Sequence, residues 1–462
     1  MTIWIPEIDK ESKGPLYKGL ADAIERDIYS GILHPGHRLP THRELADELG
    51  MNVSTVTRGY REAESRGLIS GTVGRGTFVA SDAGTSTPMV SSEPYSPGMI
   101  EMGLINPLVF MDPDLAQGLK RLARRRDPGG FLNYSDPRGL PEHRAVGALW
   151  AGRYGFEALA EDVIVCSGAQ HALTCCLSAL FRTGDRIATD YLTYPGMKTL
   201  AAMLDLRLVP IEMDSDGMIA ESLDMACRRN DIKGLYLVPG VQNPTTTTMS
   251  EARRDDIAQI AAKHDLTLIE DDAYDLTGPE MHLPVTVRNP ENAVFIAGVS
   301  KAMAPGLRVA FMIVPKKFRR ALSEAVLSTI WMTPPLNVEL VSMWIKDGTA
   351  DRVVAAKRVE AEKRFRIAGK ILGGHPFAGL TTGFFIWLSL VEPWTGATFE
   401  ARAREVGVNL FSAEKFTVGG AVAPPAVRIS LCHTADLSEL KKGLTRIREI
   451  LTNTLPDSLS RL

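Results

Sequence analysis

Lys301 and Arg308 stand seven residues apart in the stretch GVSKAMAPGLRVAF, residues 298–311, with Pro305 and Gly306 between them. The apolar runs on either side, AVFIA and RVAFMIV, have the length and the β-branched and aromatic content of short buried strands. An amine and a guanidinium are therefore expected on a loop beside a packed core. An amine in such a place can lose its proton and attack a carbonyl carbon. A guanidinium keeps its charge and suits a phosphate. Pyridoxal phosphate is a small molecule that uses an amine and a phosphate clamp together. The plainer alternative is a lysine and an arginine that merely cap a loop, and residues elsewhere decide between the two.

Asp271 ends the expected strand LTLIE. A carboxylate facing a pyridine nitrogen keeps that nitrogen protonated and makes the ring an electron sink. Tyr274 and Asn243, the latter in QNPT, could hydrogen-bond a phenolic oxygen on the same ring, and Tyr194 in TYPG offers a face to stack on it. SGAQ follows a strand ending at Cys166 and opens a helix, so its free amides can hold a phosphate. Gln170 adds a donor, and Ser300 and Arg308 close on the same group. Each feature has a plain alternative: Asp271 as a cap or a surface carboxylate, with Asp272 beside it; Tyr194 as core; SGAQ as an ordinary strand-to-helix turn. Their joint occurrence in this order is improbable by chance.

These residues need a scaffold, and the chain from Gly98 onward predicts one. VIVCS, RIATD, GLYLVP, LTLIEDDAY and AVFIA alternate with amphipathic helical stretches. That pattern specifies an α/β domain with a mostly parallel sheet covered on both faces, and ligands in such sheets sit at the carboxyl ends of the strands. A smaller C-terminal α/β part is expected from GFFIWLSL, VNLFS and AVRISL, with LSELKKGLTRIREILTNTL as a last helix. The long stretch ADRVVAAKRVEAEKRFRIAGKIL carries alternating charges, most simply a solvated helix face.

The first eighty residues read differently. Leu16, Leu20, Ile24 and Ile28 recur every four residues, as on an amphipathic helix. Thr41 with Glu44 forms a capping box for a short helix stopped by Gly50. Asn52 caps a third helix with Val53, Val56, Tyr60 and Ala63 as its stripe, closed by Gly67, and GTVGRGTFVA gives a hairpin. Two short helices and a hairpin describe a winged helix-turn-helix, with a three-helix protein-binding module as the alternative. Ser54, Thr55, Thr57, Arg58 and Arg61 lie off the stripe and suit phosphates and base edges, and Gly74 and Arg75 mark a wing tip that could reach a groove. Residues 13–80 hold nine Lys and Arg against eight Asp and Glu, so motif order carries the DNA reading, not basicity. ASDAGTSTPMVSSEPYSP is too rich in Ser, Thr, Pro and Gly for a core and reads as a flexible linker, spanning roughly 20–25 Å. The chain thus divides into a head at 1–80, a linker at 81–97 and a body at 98–462.

The net charge of -3 gives no sign of a polyanion partner, so the DNA expectation rests on the head alone. No apolar run is long enough to span a bilayer, and the first residues, MTIWIPEIDKESKG, lack the pattern of a secretory signal. Five cysteines without metal-type pairs argue for reduced thiols in a cytoplasmic setting, with Cys175 and Cys176 as helix packing residues. The nine histidines show no metal-ligand spacing, and no metal site is expected.

The head closely resembles the GntR family of bacterial regulators, from GPLYKGLADAIERDIYSGILHPGHRLPTHRELADELG through VGRGTFV. That resemblance implies that Arg43, Asn52, Ser54, Thr55, Thr57 and Gly74 face DNA; Val53 departs from the arginine that relatives often carry. The body resembles the fold-type I, class I aminotransferases through YSDPRG, SGAQHAL, TYPG, QNPT, EDDAY, SKAMAPGLR and VRIS. It implies a pyridoxal phosphate site: Lys301 forms the Schiff base, Asp271 pairs with the pyridine nitrogen, and Asn243 and Tyr274 hold the phenolic oxygen. Ala169, Gln170, Ser300 and Arg308 would bind the phosphate, Tyr134 would reach the phosphate of a neighbouring subunit's cofactor, and Arg428 would grip a substrate carboxylate. Thr246 replaces the family's usual glycine, and Gly298 stands where a serine often helps the phosphate. The combination resembles the MocR subfamily of GntR-type regulators. It implies a head-to-tail homodimer, promoter DNA as partner, and an amine, an amino acid or the cofactor itself as effector. A working aminotransferase with a secondary DNA head is the alternative, and a cofactor-free regulator that uses the body only to dimerise is a third.

Overall fold

The computed structural model describes residues 4–8, 15–30, 32–33, 37–66, 68–72, 76–79, 98–278 and 281–452. The expected linker at 81–97, the helix-closing Gly67 and the wing-tip residues Gly74 and Arg75 lie outside the described residues.

In the head, helices α1 (Leu16–Tyr29), α2 (His42–Leu49) and α3 (Val53–Ser65) begin and end where local chemistry dictates. Thr41 and Glu44 form the expected reciprocal capping box, Gly50 ends α2 at φ 61°, and the Asn52 side chain accepts the Ser54 amide at 2.9 Å. Leu20, Ile24 and Ile28 of α1 share one core with Leu45, Ala46 and Leu49 of α2 and Val56, Tyr60 and Ala63 of α3. The expected stripes overreach at their ends: Leu16 and Val53 are exposed. Strands β1 (Arg38–Leu39), β2 (Ile69–Thr72) and β3 (Gly76–Val79) pair antiparallel in the order β1-β3-β2. The Tyr60 hydroxyl donates to the Pro40 carbonyl at 2.9 Å, tying α3 to the entry of α2. The head is a winged helix-turn-helix.

The body opens with β4 (Ile100–Glu101), followed by α4 (Leu115–Ala123) and α5 (Pro141–Ala151). Its central sheet then begins with β5 (Val163–Cys166), β6 (Arg186–Asp190) and β7 (Arg207–Ile211). After the small hairpin β8 (Met213–Asp214) and β9 (Gly217–Met218) it continues with β10 (Ile232–Leu237), β11 (Thr267–Asp272), β12 (Ala293–Gly298) and β13 (Ala310–Ile313). The order is β5-β13-β12-β11-β10-β6-β7, parallel throughout except for β13, which runs against both neighbours. Helices α6 (Ala169–Leu180), α7 (Pro195–Met203), α8 (Ala220–Arg229), α9 (Glu251–Lys263) and α10 (Val285–Arg288) connect the strands. Ile164, Ile269 and Ile296 lie fully buried under one face, and Val165, Phe295 and Phe311 under the other. Each such aliphatic side chain contributes about 1.5–3 kcal/mol relative to exposure. This two-faced burial explains why the strands read as continuous apolar runs. Cys175 and Cys176 pack inside the first of these cores, as expected.

Beyond β13, helices α11 (Lys316–Ile330), α12 (Pro335–Lys346) and the long α13 (Thr349–Leu372) lead to the smaller domain. There β14 (Phe377–Ala378), β15 (Phe385–Ser389), β17 (Phe411–Ser412) and β18 (Ala426–Ser430) form an antiparallel sheet ordered β14-β15-β18-β17. Helices α14 (Gly396–Glu405) and α15 (Leu437–Thr452) join it, and β16 (Val408–Asn409) pairs in parallel with β4. The first strand of the body thus belongs structurally to its last domain.

One expectation is corrected here. The charges of α13 are not a solvated face throughout, because Lys357 and Arg364 are fully buried. Lys357 donates to Asp112 and to the Met303 carbonyl, both at 2.6 Å, and Arg364 donates to the carbonyls of Leu431, Thr434 and Ala435 and to Glu360. Alternating charge along a helix does not reveal which turn faces inward when backbone carbonyls are waiting as acceptors.

Candidate functional site

Ten of the eleven body residues expected from the sequence line one cavity of about 220 Å³: Ala169, Gln170, Tyr194, Asn243, Asp271, Tyr274, Ser300, Lys301, Arg308 and Arg428. It opens at the carboxyl ends of β5, β10, β11 and β12, where a mostly parallel sheet presents its loops. The eleventh, Tyr134, is not among the lining residues. It is exposed and lies against Trp331, with ring centroids 5.5 Å apart.

Lys301 follows β12, and its Nζ donates to the Ile105 carbonyl at 2.7 Å. Burial, reinforced by the charges of Arg428, Arg308 and Lys357, pushes its amine down to about 7. Neutral pH therefore leaves a large share of it unprotonated and nucleophilic. Asp271, near the end of β11, is buried. Its Oδ2 accepts the Tyr236 hydroxyl at 3.1 Å, and its Oδ1 has no partner. Burial raises this carboxyl to about 6, against the opposing pull of the Tyr236 hydrogen bond. A buried carboxylate oxygen without a donor is costly, and a protonated pyridine nitrogen would supply that donor and return the charge to Asp271.

The anion end lies across the cavity. Arg308 takes the left-handed conformation at φ 51°, which turns its Nη1 to within 3.4 Å of Ser300 Oγ. Gly168, at φ 85°, leads into α6, and a Cβ there would stand 2.5 Å from an Arg308 nitrogen. Glycine is therefore required for the guanidinium to approach the amide-rich start of α6. Gln170 donates to the Gly196 carbonyl at 3.3 Å, while its own Oε1 is buried without a partner.

Arg428 on β18 is fully buried, and desolvation pulls it down to about 10. It donates to Asn243 Oδ1 and to the Gly103 carbonyl, both at 2.6 Å, and its Nε is unpartnered. Phe385, Phe411 and Phe416 surround it, with centroids 5.7, 5.3 and 4.9 Å from its Cζ. Such a cation is set to accept a carboxylate that reaches it from the cavity.

These features fit pyridoxal phosphate: an unprotonated amine for its aldehyde, an orphaned carboxylate oxygen for its ring nitrogen, and an arginine at a helix start for its phosphate. Four contributors escaped the sequence reading. Tyr236 is a faint signal, a hydroxyl-bearing ring between two leucines of β10. Gly103 and Ile105 act through backbone carbonyls, which leave no mark on residue type, and the Glu101 carboxylate accepts the amides of Gly103 and Leu104, a local pattern that its residue type does not announce.

In the head, Arg43, Ser54 and Arg58 are exposed. The Arg58 guanidinium lies over the Tyr17 ring at 4.2 Å, which holds it toward α1. Asn52 spends its Oδ1 on the Ser54 amide and hydroxyl, Thr55 is half-buried, and Thr57 Oγ1 donates back to the Val53 carbonyl at 2.9 Å. Among the described residues no helix is long and apolar enough to cross a membrane, and no cluster of potential metal ligands occurs.

Comparison with known proteins matches residues 104–447 to the family described as aminotransferase class I and II, and residues 16–79 to bacterial regulatory proteins of the gntR family. An uncharacterized HTH-type transcriptional regulator of Bacillus subtilis (strain 168), YdeF, is 37% identical over 456 residues, covering 97% of this chain and 96% of the relative. The vitamin B6 salvage pathway transcriptional repressor PtsJ of Salmonella typhimurium is 28% identical over 294 residues, 63% of this chain and 66% of the repressor. Among solved structures, the kynurenine aminotransferase of Pyrococcus horikoshii superposes with a TM-score of 0.72 at 22% identity, over 78% of this chain and 92% of that one.

Proposed function

Because the chain belongs to the MocR-type regulators, a gntR-family head joined to an aminotransferase class I and II body, we propose that it is a transcription regulator whose hold on promoter DNA is set by an amine, an amino acid or pyridoxal phosphate in the body cavity. The observation that carries this reading is the meeting of Lys301, the unpartnered Asp271 oxygen, Arg308 and Arg428 in one cavity of a chain that also bears a DNA-binding fold.

Pyridoxal phosphate, the cofactor of this family, supplies an aldehyde for carbon–nitrogen bond formation and a ring that accepts electrons. Lys301 provides the amine that holds it. Asp271 holds the proton on the ring nitrogen, with Tyr236 orienting the carboxylate. Asn243 and Tyr274 would hold the phenolic oxygen, and Tyr194 would lie against the ring. Ala169, Gln170, Ser300 and Arg308 bind the phosphate, and Arg428 takes an effector carboxylate. An effector acts by its differential affinity for two states of the body. In the head, Arg43, Asn52, Ser54, Thr55, Thr57 and Arg58 are the residues we assign to the duplex; Gly74 and Arg75, assigned to it from the sequence, lie outside the described residues.

The working unit is a head-to-tail homodimer, with Tyr134 reaching the neighbouring subunit's cofactor phosphate. The exposure of Leu132, Tyr134 and Trp331 side by side supports a face covered by a second copy. Reduced cysteines and the lack, among the described residues, of a membrane-crossing helix support a cytoplasmic setting. The domain division remains 1–80, 81–97 and 98–462. PtsJ, named as a repressor of vitamin B6 salvage, supports including the cofactor itself among candidate effectors.

The test is to titrate amines, amino acids and pyridoxal phosphate against the cofactor's absorbance, in the presence of DNA from the chain's own upstream region. A compound that changes both the spectrum and the DNA affinity supports the reading. Steady transamination with no effect on DNA would move the assignment to an enzyme.

A further inference from the structure

Three carbonyls in a row, those of Gly103, Leu104 and Ile105, face three side chains of the body. Arg428 donates to the first at 2.6 Å, His433 lies 3.2 Å from the second, and Lys301 donates to the third at 2.7 Å. The two site cations are therefore bound to one short strap, and this strap follows directly on the segment that joins the head to the body. The strap is held by Glu101. Its Oε1 accepts the amides of Gly103 and Leu104 at 2.6 and 2.7 Å, and its Oε2 accepts the Asn409 side-chain amide at 2.7 Å. Glu101 is buried, and its β4 strand is paired with β16. Gly103 is wedged in place: a Cβ there would stand 2.7 Å from the Phe411 ring and 3.1 Å from Glu101 Oε1. Phe411 is also one of the rings around Arg428.

We propose that Glu101 is the positioning residue of the sensor site, latching residues 103–105 so that their carbonyls hold Lys301 and Arg428, and that an effector carboxylate releases this strap toward the DNA-binding head. The inference rests on the sensor reading above. A carboxylate arriving at Arg428 competes with the Gly103 carbonyl for the same guanidinium, and an amine bonded to the cofactor frees Lys301 from its role there. Both events alter the partners of one six-residue segment, 100–105, whose N-terminal end leads to the head. A carboxylate binds a guanidinium more strongly than a neutral carbonyl does, so a carboxylate that takes the Nη2 held by the Gly103 carbonyl displaces that carbonyl, and the strap moves.

The experiment uses the full-length, cofactor-loaded protein and two probes, aminooxyacetate and methoxyamine. With either, the oxyamine nitrogen takes over the bond to the cofactor's aldehyde carbon and Lys301 leaves as the free amine, without oxidation or reduction. Only aminooxyacetate presents a carboxylate to Arg428. In the parent, aminooxyacetate is expected to bind more tightly, to change the affinity for upstream DNA, and to speed hydrogen exchange of the Gly103 and Leu104 amides. In Glu101→Gln, methoxyamine should react as in the parent, while the preference for aminooxyacetate rises about tenfold, the size of a lost charge-assisted hydrogen bond, because the loosened strap competes less for Arg428. The effect of aminooxyacetate on DNA falls, because the strap is already released. Asn409→Ala, which removes the anchor of the carboxylate and leaves the carboxylate itself, should shift each readout as Glu101→Gln does and carries the test if Glu101→Gln does not fold. A parent that distinguishes the probes, with variants that distinguish them equally well, would overturn the latch and leave the sensor reading intact. A parent whose cofactor absorbance neither probe changes would overturn both.

Discussion

Asp271 gives one carboxylate oxygen to the Tyr236 hydroxyl, 3.1 Å away, and leaves the other buried in the cavity without a donor. The pair divides the labour of one carboxylate: one oxygen is fixed by the protein, the other is kept for a ligand. Tyr236→Phe removes the fixing bond without opening space. Cofactor affinity should fall about five- to tenfold, the size of one buried hydrogen bond, as measured by absorbance titration of cofactor-free protein. Asp271→Asn, which removes the charge that holds the ring proton, should cost more. Equal affinity in all three proteins would remove Asp271 from the ring nitrogen.

Lys301 gives a stability prediction with a defined sign. The amine titrates at 10.5 in its ordinary state and about 7 in the cofactor-free fold, because burial opposes its charge. Between these values the unfolded chain binds more protons than the folded one, so the Lys301 contribution to stability rises with pH. It is most unfavourable below pH 7 and vanishes above 10.5. Lys301→Met should therefore stabilise the cofactor-free protein most at low pH, with the advantage shrinking as pH rises from about 7 to 10.5, in denaturant melts at several pH values. An advantage independent of pH would contradict the depressed amine.

Arg428 predicts selectivity. Arg428→Met keeps much of the side-chain volume among Phe385, Phe411 and Phe416 but removes the donors. Carboxylate-bearing effectors should lose about 30-fold or more in affinity, consistent with charge-assisted hydrogen bonds of 1.5–3 kcal/mol each. Amines without a carboxylate should be nearly unaffected. Parallel titrations of an amino acid and its decarboxylated counterpart check this.

Gly298 offers a gain of function. A Cβ there would meet only the Ala169 Cβ at 3.7 Å, an ordinary contact. Gly298→Ser should fold normally and place a hydroxyl at the phosphate end, tightening the cofactor a few-fold, about 0.5–1.5 kcal/mol for one added hydrogen bond. A lower melting temperature with no tighter binding would place the phosphate elsewhere.

In the head, Arg43 is assigned to the duplex alone, whereas Asn52 is assigned to the duplex and also caps α3, so the two should differ in their effect on stability. Arg43→Ala should weaken DNA binding with little change in melting temperature. Asn52→Ala should lower head stability by about 0.5–2 kcal/mol through the lost cap on α3. Melts of the two variants beside DNA titrations check the distinction.

Much of this was legible in the sequence because it rests on residue type. The capping box at Thr41, the apolar strands of the sheet, and eight of the ten residues around the cavity are marked by residue type and spacing, while Ala169 and Arg428 follow only from the family resemblance. The departure at Thr246 was also visible, and its meaning is now physical: Thr246 takes φ 66°, a left-handed conformation that favours glycine and costs a β-branched residue about 1–3 kcal/mol. What was not legible is what backbone atoms do. Ile105 and Gly103 serve through carbonyls, and Glu101 through amides two and three residues on. The buried charges of Lys357 and Arg364 were hidden for the same reason, since their acceptors include main-chain oxygens far away in the sequence.

The most direct measurement is the affinity of the cofactor-loaded protein for its upstream DNA, by fluorescence anisotropy, across a titration of amino compounds, in parent and in Lys301→Ala. The parent should change its DNA affinity in step with the cofactor's absorbance, and Lys301→Ala should bind DNA without responding. A Lys301→Ala protein that responds as the parent does would contradict the account at its centre.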